Sequence, residues 1–337
     1  MREGEKAKIS PEPIMRLTTA YWESQVLLTA NRIGLFDTLA QGPRDASAIA
    51  RELGISPRGA VLLLNSCVAL GLAMEGTDGY TNSPLSDEYL VAGKETYMGN
   101  AIRYSDNLYS AWGQLEQALR EGRPSMPAEE YLGRDPAMTR DFVYGMHNRA
   151  LGIGQALAEI VDLAGRRQML DVGGGPGTYS ALLTRRFPEL RSRVMDLPEV
   201  VALAREILVS MGEEERVSTF PGDYKDTDFP GGNDVVLISG VFHREREAVC
   251  RDLIARAADS LTAGGMLIVS DVFTDAGGCA PAFATLFGLN MMLSAPDGGV
   301  HADADVADWM QAAGFLDVRI QHFPPPMPHR VVSGYKE

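Results

Sequence analysis

The chain has 337 residues, of which 45% are hydrophobic, 23% charged and 7% aromatic. At roughly 150 residues per domain this length predicts two domains with a sizeable core, and the composition excludes disordered, collagenous and disulfide-scaffold classes. Lys plus Arg number 31 against 45 Asp plus Glu, a net charge of −14, which argues against a general polyanion binder because non-specific nucleic-acid affinity is built from cations that neutralise phosphates.

Cys67, Cys250 and Cys279 stand far apart with no C-x-x-C, so neither a zinc template nor a disulfide framework is expected, and a reducing, cytoplasmic setting fits best. The stretch Met1–Ser10 has charges but no apolar core, and no run of 18 apolar residues occurs, so neither secretion nor membrane spanning is expected.

From Pro11 onward Ile14, Leu17, Tyr21, Val26, Leu27, Ala30, Ile33 and Leu35 recur mostly at three- and four-residue steps, which predicts helix. A short helix breaking at Gly54 and a second beginning near Pro57 have helix-turn-helix spacing. Asp78-Gly79 then separates two extended segments, Leu72–Glu75 and Tyr80–Asn82, as the wing of a winged helix would. Such a module either reads DNA or serves packing and dimerisation. The second is expected here, because Arg58 is the one charged side chain from Pro57 to Leu72 and a helix that reads base edges needs polar reach.

The mainly helical winged-helix domain is assigned to residues 1–100 and bridging helices to 101–162, interrupted by a loop near Gly122–Pro127. Residues 163–337 carry short apolar runs separated by helical stretches: Met169–Val172, Arg193–Asp196, Asp234–Ser239, Met266–Asp271, Phe315–Ile320 and Val331–Tyr335. This alternation predicts an α/β fold, a Rossmann-like, doubly wound and mostly parallel sheet covered on both faces.

Leu170-Asp171-Val172-Gly173-Gly174-Gly175-Pro176-Gly177-Thr178 runs from a strand through a glycine-dense turn into a helix. Glycines there allow positive φ and close approach of a ligand, and the helix start presents unpaired N–H groups. Asp196, 19 residues beyond Gly177, ends the next strand, where a carboxylate can accept from both hydroxyls of a ribose. NAD fits poorly, since the sixth place of its fingerprint falls on Ser180 or Thr178 instead of Gly or Ala. Asp171 at the head of the loop repels phosphate and attracts a cationic amino-acid end, which suits S-adenosylmethionine.

Leu170 to Gly177, Asp196-Leu197-Pro198, Gly222-Asp223-Tyr224 and Asp234 through His243 resemble the class I S-adenosylmethionine-dependent O-methyltransferases of the caffeate, hydroxyindole and antibiotic-tailoring type. The resemblance runs from about residue 14 to 335, and its N-terminal part resembles that family's winged-helix dimerisation domain. It implies a homodimer acting on a small-molecule acceptor; the negative net charge and the lack of a long apolar run argue against a nucleic-acid or membrane partner. It also implies that Gly173 and Gly175 pass under the cofactor, that Asp196 holds the ribose and that Asp223 with Tyr224 flanks the adenine. Asp171, Leu197 and Ser239 are counted with the same site. Asp223 capping the turn after Gly222 is the plainer reading of that residue.

Methyl transfer from a sulfonium to a hydroxyl needs alignment of donor and acceptor and removal of a proton. His243 stands at the carboxyl edge of the expected sheet, where open α/β folds bind ligands, and the resemblance implies that it is the catalytic base. The family usually continues with Asp and Trp after this His, whereas this chain reads His243-Arg244-Glu245-Arg246-Glu247; the family's two flanking glutamates correspond to Asp271 and His301. Phe142, Met146 and His147 on the bridging helix, with Phe287, Asn290 and Met291 beyond Asp271, are candidates for the acceptor pocket; each could equally fill the core, and His147 could instead bond a backbone carbonyl. His322 and His329, flanking Phe323–Pro328, lack metal-site spacing, and no metal is expected. The altered run after His243 keeps open an S- or C-methyltransferase on the same scaffold, and a cofactor-binding regulator is the non-enzyme alternative.

Overall fold

The computed structural model describes residues 9–127 and 132–337. The charged start Met1–Lys8, where no leader is expected, and residues 128–131 of the expected bridging region lie outside these. The chain forms two compact units, one ending at Asp106 and the other running from Asn107 to Glu337, so most of the expected bridging region belongs to the second unit.

The first unit contains α1 (Glu12–Arg32), α2 (Leu35–Leu39), α3 (Ala46–Leu53), α4 (Pro57–Ala69), the strands β1 (Ala73–Gly76) and β2 (Gly79–Asn82), and α5 (Pro84–Tyr89). The helical run expected as far as Leu35 is interrupted where Gly34 takes φ 78°. Asp45 accepts from Ala48 N at 2.8 Å and Ser56 from Gly59 N at 3.1 Å, caps that start α3 and α4 and satisfy otherwise orphaned donors. The expected wing is an antiparallel hairpin that pairs Ala73 with Asn82 and Gly76 with Gly79. Its turn needs glycine, since Gly79 has φ 122° and a Cβ there would lie 2.4 Å from the Arg44 carbonyl oxygen. Leu35, Phe36, Leu39, Ile49 and Leu64 fill this unit's core, while Ile14, Leu17, Tyr21 and Trp22 of α1 stand more than half exposed.

After α6 (Gly99–Trp112), α7 (Leu115–Glu121) and the long α8 (Pro136–Ile160) come β3 (Gln168–Val172), α9 (Thr178–Arg186), β4 (Arg191–Asp196), α10 (Pro198–Met211), β5 (Val217–Pro221) and β6 (Asn233–Ser239). The chain continues with α11 (Glu247–Ser260), β7 (Leu261–Val272), α12 (Ala282–Ser294), α13 (Asp303–Ala312), β8 (Phe315–His322) and β9 (His329–Lys336). Among the described residues the seven later strands make one sheet, ordered β5-β4-β3-β6-β7-β9-β8. Its first five strands are parallel, and β9 runs antiparallel to both β7 and β8.

Side chains alternate across the sheet, so the strands are apolar on both faces. Leu170, Val172, Val236, Ile238, Leu267 and Val269 pack with Cys250, Leu253 and Ile254 of α11 on one side. Met169, Val235, Leu237, Met266 and Ile268 pack with Leu157 of α8 and Leu183 of α9 on the other. Each buried aliphatic side chain is worth about 1.5–3 kcal/mol. The strand order reverses between β3 and β6, and an open α/β sheet has its ligand crevice at the carboxyl ends of the strands on either side of such a reversal.

Candidate active site

Val172 hands the chain to the glycine loop at that reversal. Gly173, Gly175 and Gly177 take φ 64°, 54° and 73°, values that other residues rarely adopt. A Cβ on Gly173 would lie 2.7 Å from the Val241 side chain and 3.5 Å from the Tyr224 ring; one on Gly174 would meet the Asp171 carboxyl carbon at 2.6 Å. At Gly173 and Gly174 the loop is therefore pressed against the turn after β6, the Tyr224 ring and Asp171 of β3, while nothing lies within 4 Å of the place a Cβ would occupy on Gly175.

Asp171 is fully buried. Its Oδ2 accepts from Ser180 at 2.7 Å, whereas Oδ1 is buried with no hydrogen-bond partner among the described residues. Burial, with a smaller push from Asp196, raises its pKa to about 7 despite the Ser180 bond. Asp196, half-buried at the end of β4, accepts from Gly175 N at 2.7 Å and Leu197 N at 2.8 Å. Burial again outweighs these bonds and raises its pKa to about 6. Asp223 does cap its turn, accepting from Lys225 N at 2.9 Å, and Tyr224 Oη donates to Glu245 at 2.6 Å.

Across the crevice, a short 3-10 turn from Phe242 to Arg244 carries His243. Its Nδ1 lies 2.6 Å from Asp271 Oδ1, and its backbone N–H donates to Asp271 Oδ2 at 3.2 Å. Asp271 is 2% exposed. The ring rests over Gly240, with Phe287 edge-on at 4.9 Å between centroids. A carboxylate on Nδ1 selects the tautomer protonated there and turns the Nε2 lone pair outward.

Residues 112–316 match the O-methyltransferase domain, and residues 15–92 match the O-methyltransferase dimerisation domain. The chain belongs to the O-methyltransferase family. It is 33% identical to 3-hydroxy-5-methyl-1-naphthoate 3-O-methyltransferase of Streptomyces sahachiroi, covering 97% of this chain and 95% of that one. Identity is 35% to the tetracenomycin polyketide synthesis 8-O-methyl transferase of Streptomyces glaucescens, covering 92% of each. Among solved structures, human N-acetylserotonin methyltransferase in complex with SAM superposes with a TM-score of 0.89 at 26% identity over 99% of both chains. The enzyme is thus an S-adenosylmethionine-dependent methyltransferase, and its site suits that cofactor: a buried Asp171 carboxylate oxygen without a partner among the described residues can face a cationic amino end, and nothing lies within 4 Å of the place a Cβ would occupy on Gly175.

Several expected residues of the enzyme are engaged otherwise. His301 is not an orienting partner of the base: its Nε2 donates to the carbonyl oxygens of Glu245 at 2.9 Å and Phe242 at 3.2 Å, and its ring stands edge-on to Trp309. It braces the turn that carries His243. The Nδ1 of His147 lies 2.7 Å from the Thr178 hydroxyl at the start of α9, and burial lowers its pKa. Phe142 packs with Val143, Val200 and Ile207, and Met291 is buried in the core. Asn290 accepts from Trp112 Nε1 at 2.9 Å. Of the six acceptor candidates, Phe287 is the one in ring contact with the base, while Met146 is half-buried on α8.

Three residues of the site were not singled out by sequence. Tyr179 is half-buried beside Ser239, the serine that ends β6, and its partial burial raises its pKa. His329, paired in register with Val272, has a buried Nδ1 without a partner among the described residues. Burial first, then the charge of His243, lowers its pKa to about 4 against the opposing pull of Asp271, so it stays neutral. Glu245 lies in a charged run that reads as solvated surface, yet it is 3% exposed. Pairing across β7 and β9 could have pointed to His329; nothing local marks Glu245. Among the described residues no group of three or more His, Cys, Asp or Glu side chains is arranged to hold a metal, and no helix is long and apolar enough to cross a membrane.

Proposed function

We propose that the enzyme methylates a hydroxyl of a small-molecule acceptor with His243 as the general base, and that it works as a cytoplasmic homodimer without a nucleic-acid partner. The observation that carries the mechanism is the 2.6 Å contact of His243 Nδ1 with the buried Asp271, which leaves Nε2 as an acceptor for the hydroxyl proton. When bound, S-adenosylmethionine supplies the methyl group from its sulfonium. The chain's own residues do the rest. Gly173 and Gly175 offer backbone to the cofactor, and Asp171 faces its amino end. Asp196, beside Leu197, retains lone pairs for a ribose, while Asp223 and Tyr224 flank the adenine with Ser239 deeper in the crevice. Phe287 walls the base against water, which strengthens its pairing with Asp271. As the acceptor hydroxyl attacks, Nε2 takes its proton and Asp271 stabilises the resulting imidazolium.

The dimer is supported by the exposed apolar face of α1 within the matched dimerisation domain. The test of the base is His243→Ala, assayed with labelled S-adenosylmethionine against an acceptor found by screening. General-base catalysis is worth about 10² to 10⁴ in rate, so kcat falls by that range while cofactor affinity holds. A variant that keeps more than about a tenth of the parental rate would instead favour catalysis by alignment alone, or an S-acceptor, which is already nucleophilic.

A further inference from the structure

Within the run His243-Arg244-Glu245-Arg246-Glu247, Glu245 is buried while Arg246 and Glu247 are exposed. Fully buried glutamates are rare unless paired, and this one is paired twice. Its Oε1 accepts from Tyr224 Oη at 2.6 Å and lies 2.8 Å from Lys225 Nζ. Its backbone is held from both sides: the N–H donates to the Phe242 carbonyl at 3.1 Å and the carbonyl accepts from His301 Nε2 at 2.9 Å. At the other end of the contact, Arg256 donates to the Tyr224 carbonyl oxygen. The Tyr224 ring is therefore tethered at its backbone and at its hydroxyl, and between those points it borders Gly173 at 3.5 Å from the place a Cβ would occupy.

We propose that Glu245 is a positioning residue for the cofactor. By anchoring the Tyr224 hydroxyl it fixes the ring against which the adenine lies, and it ties that ring to the turn carrying His243 two residues earlier. This deepens, and rests on, the reading of Tyr224 as the adenine's neighbour. A charge-assisted O–H···O⁻ bond is short and strong, and a ring already immobilised before binding spares the ordering cost that a free ring would add on binding.

The test measures S-adenosylhomocysteine affinity by calorimetry on the full chain, for the parent, Glu245→Ala, Glu245→Gln, Tyr224→Phe and the Tyr224→Phe/Glu245→Ala pair. Each of Glu245→Ala and Tyr224→Phe weakens binding about tenfold, the size expected for one hydrogen bond to a charged group. The double variant is no worse than the weaker single, because both changes cut one tether. Glu245→Gln stays within about threefold of the parent, since its amide oxygen still accepts. In steady state the Glu245→Ala loss falls on KM for S-adenosylmethionine more than on kcat. Additive losses in the double variant, unchanged affinity in Glu245→Ala, or a loss confined to kcat and Tm would overturn the clasp while leaving the cofactor site intact. A parent chain that fails to bind S-adenosylhomocysteine would remove the cofactor-site reading and the clasp with it.

Discussion

His243 and Asp271 share a 2.6 Å contact between residues on the turn after β6 and the end of β7. Asp271 accepts further N–H bonds from Val272 at 2.7 Å and from the His243 backbone at 3.2 Å. Burial pushes its pKa upward, but the neighbouring imidazole and these bonds together outweigh it and hold the carboxyl below its ordinary range. The group is therefore ionised at neutral pH. With His301 turned to the carbonyls of Phe242 and Glu245, Asp271 is the side chain seen to orient the imidazole among the described residues.

Asp271→Asn retains the shape and removes the charge. We expect kcat to fall by about tenfold or more, up to the about 10² to 10⁴ that a general base contributes, with KM for S-adenosylmethionine little changed. Combined with His243→Ala the loss should not add, because the two act as one unit. Steady-state kinetics on the single and double variants read this directly, and additivity would separate Asp271 from the base.

Asp196→Ala should weaken cofactor binding by about 1.5 to 3 kcal/mol, the range for hydrogen bonds to a charged group. The backbone donors Gly175 N and Leu197 N would lose their acceptor as well, so the loop loosens together with the site. Calorimetry with S-adenosylhomocysteine that showed parental affinity would remove Asp196 from the ribose.

The Asp171 carboxyl, raised to about 7, carries its proton in the folded chain at a pH where an unfolded chain has already lost it. Stability of the cofactor-free enzyme therefore falls as pH rises from the ordinary carboxyl range toward about 7, since the folded state binds the extra proton there. A cationic amino end needs the carboxylate, so binding expels that proton, and affinity should rise by up to about tenfold per pH unit between roughly 5.5 and 7. Asp196, raised to about 6, adds in the same direction at the lower end. Calorimetry in two buffers of different ionisation enthalpy reports the proton release; net uptake on binding would show that Asp171 does not face the amino end.

Leu17 and Trp22 are 68% and 59% exposed on α1. A pairing helix buries such groups for about 1.5–3 kcal/mol each, so Leu17→Asp with Trp22→Asp should convert a dimer to a monomer in sedimentation at micromolar concentration. A parent chain that already sediments as a monomer with full activity would sink the homodimer.

Much of this enzyme is written locally in its sequence. The apolar runs of β3, β6 and β7, the caps Asp45 and Ser56, the Asp78-Gly79 turn and the glycine loop each depend on a few adjacent residues and on a periodicity of two or about 3.6. They determine an α/β sheet with a ligand loop at its carboxyl edge. The partners of polar side chains are different, because packing brings them together from distant segments. His147 and His301 look alike in sequence as polar residues near a site; one meets Thr178, 31 positions away, and the other the carbonyls of Phe242 and Glu245, nearly 60 away. Phe142 and Met291 share their apolar character with Phe287, and only the docking of α8 and α12 against the sheet sends two of them into the core and the third to the imidazole. Glu245 shows the limit most plainly: its neighbours in sequence mark it as surface, while the return of the Tyr224 loop over the His243 turn buries it. Composition and period decide which segments are helix or strand; which side chain meets which is decided by how those segments close over one another.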